Sequence, residues 1–244
     1  MKITVTGIGP GAEEGMTLEA LEAIRQAGTV VGYDLYVELV RHLCAGKEVL
    51  STGMRHEVER CRMALDAALQ GKDVAFVCSG DAGIYGMAGI MMEVAAAHPE
   101  VVVRVVPGVT AASFAAALLG APLGHDFAAI SLSDLLTPWE LIAKRVRLAA
   151  EADLILCLYN PRSKKRQDYL DLAVASIEEH RSPATPSGYV KNVGRLGQEA
   201  HICRLDELPG RAIDMFTTVI VGNSQTRILN GRLVTPRGYK GFEG

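Results

Sequence analysis

Short runs rich in β-branched residues alternate along this chain with stretches of helical periodicity, and that alternation leaves few architectures open. Ile3 to Gly7, Val74 to Cys78 and Val101 to Val106 predict strands in the first half. Phe127 to Leu132, Leu154 to Tyr159, Ser187 to Val190, Ala200 to Leu205 and Thr218 to Val221 predict them in the second. Between them, Thr17 is an N-cap for a helix over Leu18 to Ala27, with Leu18, Leu21 and Ile24 at helical spacing and Gly28 as the stop. Further helices are predicted over Val58 to Leu69, Met87 to Ala97, Ala111 to Leu119, Trp139 to Ala150 and Lys164 to Glu178. The fold class is α/β, and the near-continuous apolar strands call for sheets covered on both faces. Breakers concentrate in Gly120-Ala121-Pro122-Leu123-Gly124, so two α/β domains are expected, residues 1–120 and 121–244.

Charge and cysteine usage narrow the class of function. The net charge of −3 carries no chain-wide basic signature, so nucleic acid is not the expected partner. No apolar run approaches the roughly 18 to 20 residues that a membrane span needs. The start MKITVTGIGPG enters a strand pattern at once, without the layout of a leader peptide, and a cytoplasmic protein is expected. Cys44, Cys61, Cys78, Cys157 and Cys203 are odd in number and widely spaced, which predicts buried thiols in a reducing compartment. A small-molecule enzyme is the class left.

The first strand runs into Gly7-Ile8-Gly9-Pro10-Gly11-Ala12, which formally satisfies the dinucleotide pattern GxGxxA, with Asp34 about twenty residues on. Pro10 removes a backbone donor where a pyrophosphate needs one, Glu13 and Glu14 add negative charge, and the helix starts only after Thr17. A different ligand loop or a plain tight turn is the better reading. The strand also lacks the terminal acidic residue used by the common Rossmann-type methyltransferases. Two more loops, Ser79-Gly80-Asp81-Ala82-Gly83-Ile84-Tyr85-Gly86 and Pro107-Gly108-Val109-Thr110-Ala111-Ala112-Ser113, join strand to helix. Their small residues allow a ligand to approach the backbone, and strand-end loops of an open α/β sheet converge on a crevice.

The loop GxGPG at 7–11, GDAGIYGMAG at 80–89, PGVTAASFAAA at 107–117 and VTPRGY at 234–239 resemble the tetrapyrrole (corrin and porphyrin) methylases along the full length of the chain. SLSDLLTPWE at 131–140, YNPRS at 159–163 and TTVIVGNSQT at 217–226 resemble the branch of that family acting at C-17 of precorrin-3B or cobalt-factor III. The resemblance implies an S-adenosylmethionine (SAM)-dependent C-methyltransferase of cobalamin biosynthesis that yields S-adenosylhomocysteine and contracts the macrocycle. It also implies a homodimer of two-domain subunits, each with SAM and a tetrapyrrole in the cleft between its domains. Carried over position by position, Pro10 would lie in the first loop of the cofactor site, Gly80, Asp81 and Ala82 would face the methionine part, and Tyr85, Thr110 and Ala111 would contact the cofactor. Asn160, where related methylases often carry Met, would enclose the adenosine with Gly188, Thr217 and Thr218.

Methyl transfer from a sulfonium is an in-line displacement, so positioning is the main demand, worth about 7–11 kcal/mol of such a barrier. Ring contraction adds proton transfer, which needs a positioned acid or base. His125, beside Gly124, is the first candidate, or else a surface or capping histidine. Asp134 is the second, or else a helix or turn cap; Ser131 and Ser133 could hydrogen-bond the macrocycle. Arg162, Lys164, Lys165 and Arg166 form the densest basic cluster for a polycarboxylate rim, with Arg162 the nearest to the strand, or else a solvated face. Arg195, Arg227 and Arg237 are unranked alternatives. No metal is expected, since His42, His56, His98, His180 and His201 lack ligand spacing. Attack at another ring carbon, a non-catalytic tetrapyrrole carrier and a NAD-linked dehydrogenase stay open as alternatives.

Overall fold

In the computed structural model, which describes residues 1–241, the first strand of the chain lies inside a sheet rather than at its edge. Contacts divide the chain into two units, Met1–Ala111 and Ala112–Gly244. The first holds a five-stranded parallel sheet of β1 (Lys2–Gly7), β2 (Thr29–Tyr33), β3 (Glu48–Thr52), β4 (Asp73–Cys78) and β5 (Val102–Val106), in the order β3-β2-β4-β1-β5. β2 and β3 were not among the predicted strands. Gly32 interrupts the first run, yet a Cβ there would sit 2.7 Å from Val77 and 2.9 Å from Val37, so close packing against a helix demands the glycine.

Period-two alternation sends side chains of each strand to opposite faces. Val74, Phe76 and Cys78 pack with α3 (Glu57–Leu69) and α4 (Ala88–Ala95), whereas Ala75 and Val77 pack with α1 (Leu18–Gln26) and α2 (Asp34–Leu39). Both faces are therefore covered, as the apolar strands require. Thr17 caps α1, its Oγ1 accepting from the Ala20 N–H at 3.1 Å.

The second unit opens with α5 (Ala111–Leu119), whose first residue closes the unit before it. Its main sheet contains β7 (Phe127–Ser131), β8 (Ile155–Tyr159), β9 (Pro186–Lys191), β10 (Glu199–Arg204) and β11 (Thr217–Val221), in the order β10-β9-β11-β8-β7. Only β7 and β8 run parallel; the other pairs are antiparallel. Leu156, Leu158, Val219 and Val221 face α6 (Trp139–Glu151) and α7 (Tyr169–Glu178), while Ile155, Cys157 and Ile220 face the alanines of α5. A small sheet of β6 (Gly120–Ala121), β12 (Arg227–Leu229) and β13 (Arg232–Val234) packs Leu233 into the α5 side.

The helix predicted from Lys164 begins only at Tyr169. Ser163 and Arg166 instead exchange backbone hydrogen bonds at 3.1 Å in both directions, which closes a tight loop that a helix cannot accommodate. Arg181 is a buried cation that forms no ion pair among the described residues. Its guanidinium donates to the carbonyls of Gly222, Ala149, Ala150 and Leu154, tying the end of α6 to the sheet.

Candidate active site

Because β1 lies between β4 and β5, three strand-end loops meet at the carboxyl edge of the first sheet. The Gly9 N–H donates to the Gly80 carbonyl at 3.1 Å and the Gly80 N–H returns to the Gly9 carbonyl at 2.7 Å. Asp81 ties in the third loop: Oδ1 accepts from the Gly83 and Ile84 amides at 2.8 and 3.1 Å, and Oδ2 from the Gly108 amide at 3.0 Å. The packing here is backbone on backbone. A Cβ on Gly108 would stand 2.1 Å from the Gly80 carbonyl oxygen, so no larger residue fits without parting the loops. Gly80 differs. Its φ of +67° needs glycine, while a Cβ there would make only ordinary van der Waals contact, 3.8 Å from the Ala111 nitrogen and the Thr110 Cα, so the backbone at Gly80 is not crowded.

Chemically this edge offers main chain and little else. Asp81 is the only charged residue within 8–12, 79–87 and 107–110. Pro10 and Ala82 are buried, Tyr85 is exposed at φ +54°, and the Ala82 carbonyl accepts from Ala88 at the start of α4. Thr110 and Ala111 lead into α5. The loop after β1 turns through a short 3-10 segment, Glu13–Gly15, before α1 begins at Leu18. No helix N-terminus stands at Gly11, so the dinucleotide geometry is not formed.

The parallel pair β7 and β8 makes a comparable edge in the second unit, with Ser131 opposite Tyr159. Ser131 Oγ accepts from Asn160 Nδ2 at 3.0 Å and from the Ser133 amide at 3.3 Å. The Tyr159 hydroxyl accepts from the Ala112 amide at 3.0 Å. Asn160 takes φ +51°, a conformation that asparagine adopts at low cost. Asp134 is already engaged: Oδ2 accepts from the Tyr169 hydroxyl at 2.8 Å and Oδ1 lies 3.6 Å from Arg166 Nε. The same contact pushes the Tyr169 phenol above its usual range.

Several residues singled out in the sequence have local partners. The Arg162 guanidinium turns to Asp171 and to the Pro209 carbonyl. Thr217 Oγ1 donates to Asp214 Oδ1 at 3.0 Å and is buried, as is Thr218. Gly188 lies in β9 where a Cβ would be 2.9 Å from Leu119 and 3.0 Å from the His201 carbonyl, so packing requires a glycine there. His125 is half-buried, and among the described residues nothing bonds its ring. The loop interlock at Gly7 and Gly108 and the Asp134–Tyr169 contact were not read from the sequence. Asp81-x-Gly83 carried the signal of an Asx turn, but its reach to Gly108 did not.

The family model of the tetrapyrrole (corrin/porphyrin) methylases matches residues 2–209. The chain belongs to this family. The methylase is 48% identical over 238 residues to the probable cobalt-factor III C(17)-methyltransferase of Salmonella typhimurium, across 97% of this chain and 99% of that protein. It is 44% identical over 244 residues to the cobalt-factor III methyltransferase of Priestia megaterium, across 98% of this chain but 45% of that longer relative. Among solved structures, the methyltransferase CobJ superimposes with a TM-score of 0.88 at 38% identity, covering 96% of this chain and 99% of that one. Uroporphyrin-III C-methyltransferase of Thermus thermophilus, in complex with S-adenosylhomocysteine, gives 0.72 at 25% identity, covering 91% and 92%.

Nothing in the methylase offers a thiol nucleophile. All five cysteines are free and buried. Burial pushes Cys61, Cys78 and Cys203 up to about 11 and Cys157 up to about 12. Among the described residues, no three His, Cys, Asp or Glu side chains could hold a metal ion, and no helix is long and apolar enough to cross a membrane.

Proposed function

We propose that the methylase transfers a methyl group from SAM to C-17 of cobalt-factor III or precorrin-3B and contracts the macrocycle, on the route to cobalamin. The observation that carries this reading is the 48% identity to the Salmonella typhimurium protein over nearly the whole of both chains. Bound SAM supplies a sulfonium-activated methyl and leaves as S-adenosylhomocysteine. The residues present fit such a donor: the Gly80 backbone is uncrowded, and Asp81 contributes the one charge of these loops, of the sign that a sulfonium and an ammonium favour.

Within residues 1–120, Gly80, Asp81 and Ala82 face the methionine part, and Pro10, Tyr85, Thr110 and Ala111 contact the cofactor. Asp81 acts by fixing the loops, since its carboxylate already accepts three amides. Within residues 121–244, Asn160, Gly188, Thr217 and Thr218 contact the adenosine part, and Ser131 and Ser133 hydrogen-bond the macrocycle. Arg162 supports the substrate loop by tying it to α7 through Asp171. Of the two candidates for proton transfer, His125 is favoured because Asp134 is engaged with Tyr169 and Arg166. The enzyme is a cytoplasmic homodimer. Five reduced, buried cysteines support that compartment, and the exposed Ile228 and Leu229 on edge strand β12 support a covered surface.

The test is anaerobic incubation with methyl-labelled SAM and either cobalt-factor III or precorrin-3B, followed by mass and NMR analysis of the product. One added methyl at C-17 with a contracted ring supports the assignment. Methylation at another carbon shifts it within the family, and binding of the macrocycle without consumption of SAM makes the chain a carrier.

A further inference from the structure

The four cations at 162–166 separate into two kinds. Arg162 and Arg166 fold inward: the first pairs with Asp171, and the second donates to Ser163 Oγ at 3.1 Å and lies beside Asp134. Lys164 and Lys165 stay exposed at the loop tip, and among the described residues neither has an ion-pair partner. Asp134 links this basic loop to its neighbour at the same sheet edge, the loop that follows β7. There, Leu135 and Leu136 stand 67% and 94% exposed, two adjacent leucines with no core to join. Ser131 to Asn160, Asp134 to Tyr169 and Asp134 to Arg166 hold the two loops together. Trp139 stacks on Tyr169 with ring centroids 4.2 Å apart and stiffens the base of the leucine loop.

We propose that these paired loops are a substrate clamp, in which Leu135 and Leu136 cover a face of the macrocycle while Lys164 and Lys165 meet its carboxylates. The inference rests on the tetrapyrrole reading above. A planar ring with an apolar face and an anionic rim matches an apolar tip fixed beside a cationic one, and the internal pairing of Arg162 and Arg166 leaves the lysines as the charges that face outward. Exposed leucines alone would invite aggregation; beside two lysines they suit an amphiphilic ligand.

Trp139 is the only tryptophan in the chain, so its fluorescence reports a tetrapyrrole arriving at this edge. Quenching is titrated with cobalt-factor III for wild type, for Leu135→Ser with Leu136→Ser, and for Lys164→Glu with Lys165→Glu. Binding of S-adenosylhomocysteine by calorimetry checks in parallel that each variant is folded. The clamp requires each double variant to bind cobalt-factor III at least about tenfold more weakly with S-adenosylhomocysteine binding within about twofold of wild type, and the charge reversal to lose most of its effect at high salt. Wild-type quenching retained in both variants overturns the clamp and leaves the methylase reading intact. Absence of quenching in wild type overturns both. Quenching that is lost in the variants, from a wild type that binds without methylating, supports the clamp and overturns the proposed reaction.

Discussion

Asp81→Asn isolates the tether between two loops of the first unit without changing the size of the side chain. The amide oxygen can keep the bonds to Gly83 and Ile84, at 2.8 and 3.1 Å, only by turning its NH2 toward the Gly108 N–H that now lies 3.0 Å from Oδ2. Two donors then face each other. The opposite orientation loses two bonds to save one, so the tether to Gly108 is what gives way. A hydrogen bond to a charged group contributes about 1.5–3 kcal/mol net, and partial exposure of Asp81 lets water recover roughly half. The remaining cost of about 0.8–1.5 kcal/mol corresponds to a roughly four- to twelvefold weaker grip on a ligand that needs the loops closed. Calorimetric binding of S-adenosylhomocysteine should weaken by that factor, and hydrogen exchange at the Gly108 amide should accelerate. Asp81→Ala, which loses all three acceptor contacts, should be worse. An asparagine variant with wild-type affinity and an equally protected Gly108 amide would refute the tether.

Three further outcomes test the fold around the site. Arg181→Met removes the guanidinium donor from the Gly222 and Leu154 carbonyls, while those of Ala149 and Ala150 keep backbone N–H donors, and should cost about 2–3 kcal/mol in urea unfolding; a loss below about 1 kcal/mol would mean that water serves the two carbonyls as well. Gly188→Ala should destabilise by about 1–3 kcal/mol through contact with Leu119, and Leu119→Val in the same chain should recover part of it; no recovery would point to a role for Gly188 outside the core. The raised thiols of Cys61, Cys78, Cys157 and Cys203 stay protonated in the folded chain while unfolded thiols ionise near pH 9. Their contribution to stability is therefore complete below pH 9 and is lost as pH rises through 11 to 12. Unfolding midpoints flat from pH 8 to 11 would contradict it.

Strand patterns were legible where a run was apolar on both faces, as in β4, and illegible where an edge strand carried Glu48, Ser51 and Thr52. Periodicity placed α1 and its Thr17 cap, whereas it extended α7 through residues that hydrogen-bond across a loop. At the site, the glycines of the three loops were visible as types but not as an interlock. The Asp81 to Gly108 bond spans 27 residues and follows only once β1 is known to lie between β4 and β5. The basic cluster shows the same limit. Four cations in five positions look alike in sequence, and only Asp134 and Asp171, brought in from other elements, draw the arginines away from the lysines.

The central position of β1 sets the order of events on the ribosome. Residues 2–7 leave the tunnel before their partners, residues 73–78 and 102–106. At about 5–20 residues per second, Ile3 and Val5 wait roughly 5 to 20 s before both neighbours exist. For that interval the nascent chain carries an unpaired apolar strand, a natural client for a chaperone. Gly108 enters its slot beside Gly7 and Gly80 only after β5 has been added, so the interlocked loops and the completed sheet appear together. A chain interrupted before Gly108 has neither the completed sheet nor the interlocked loops.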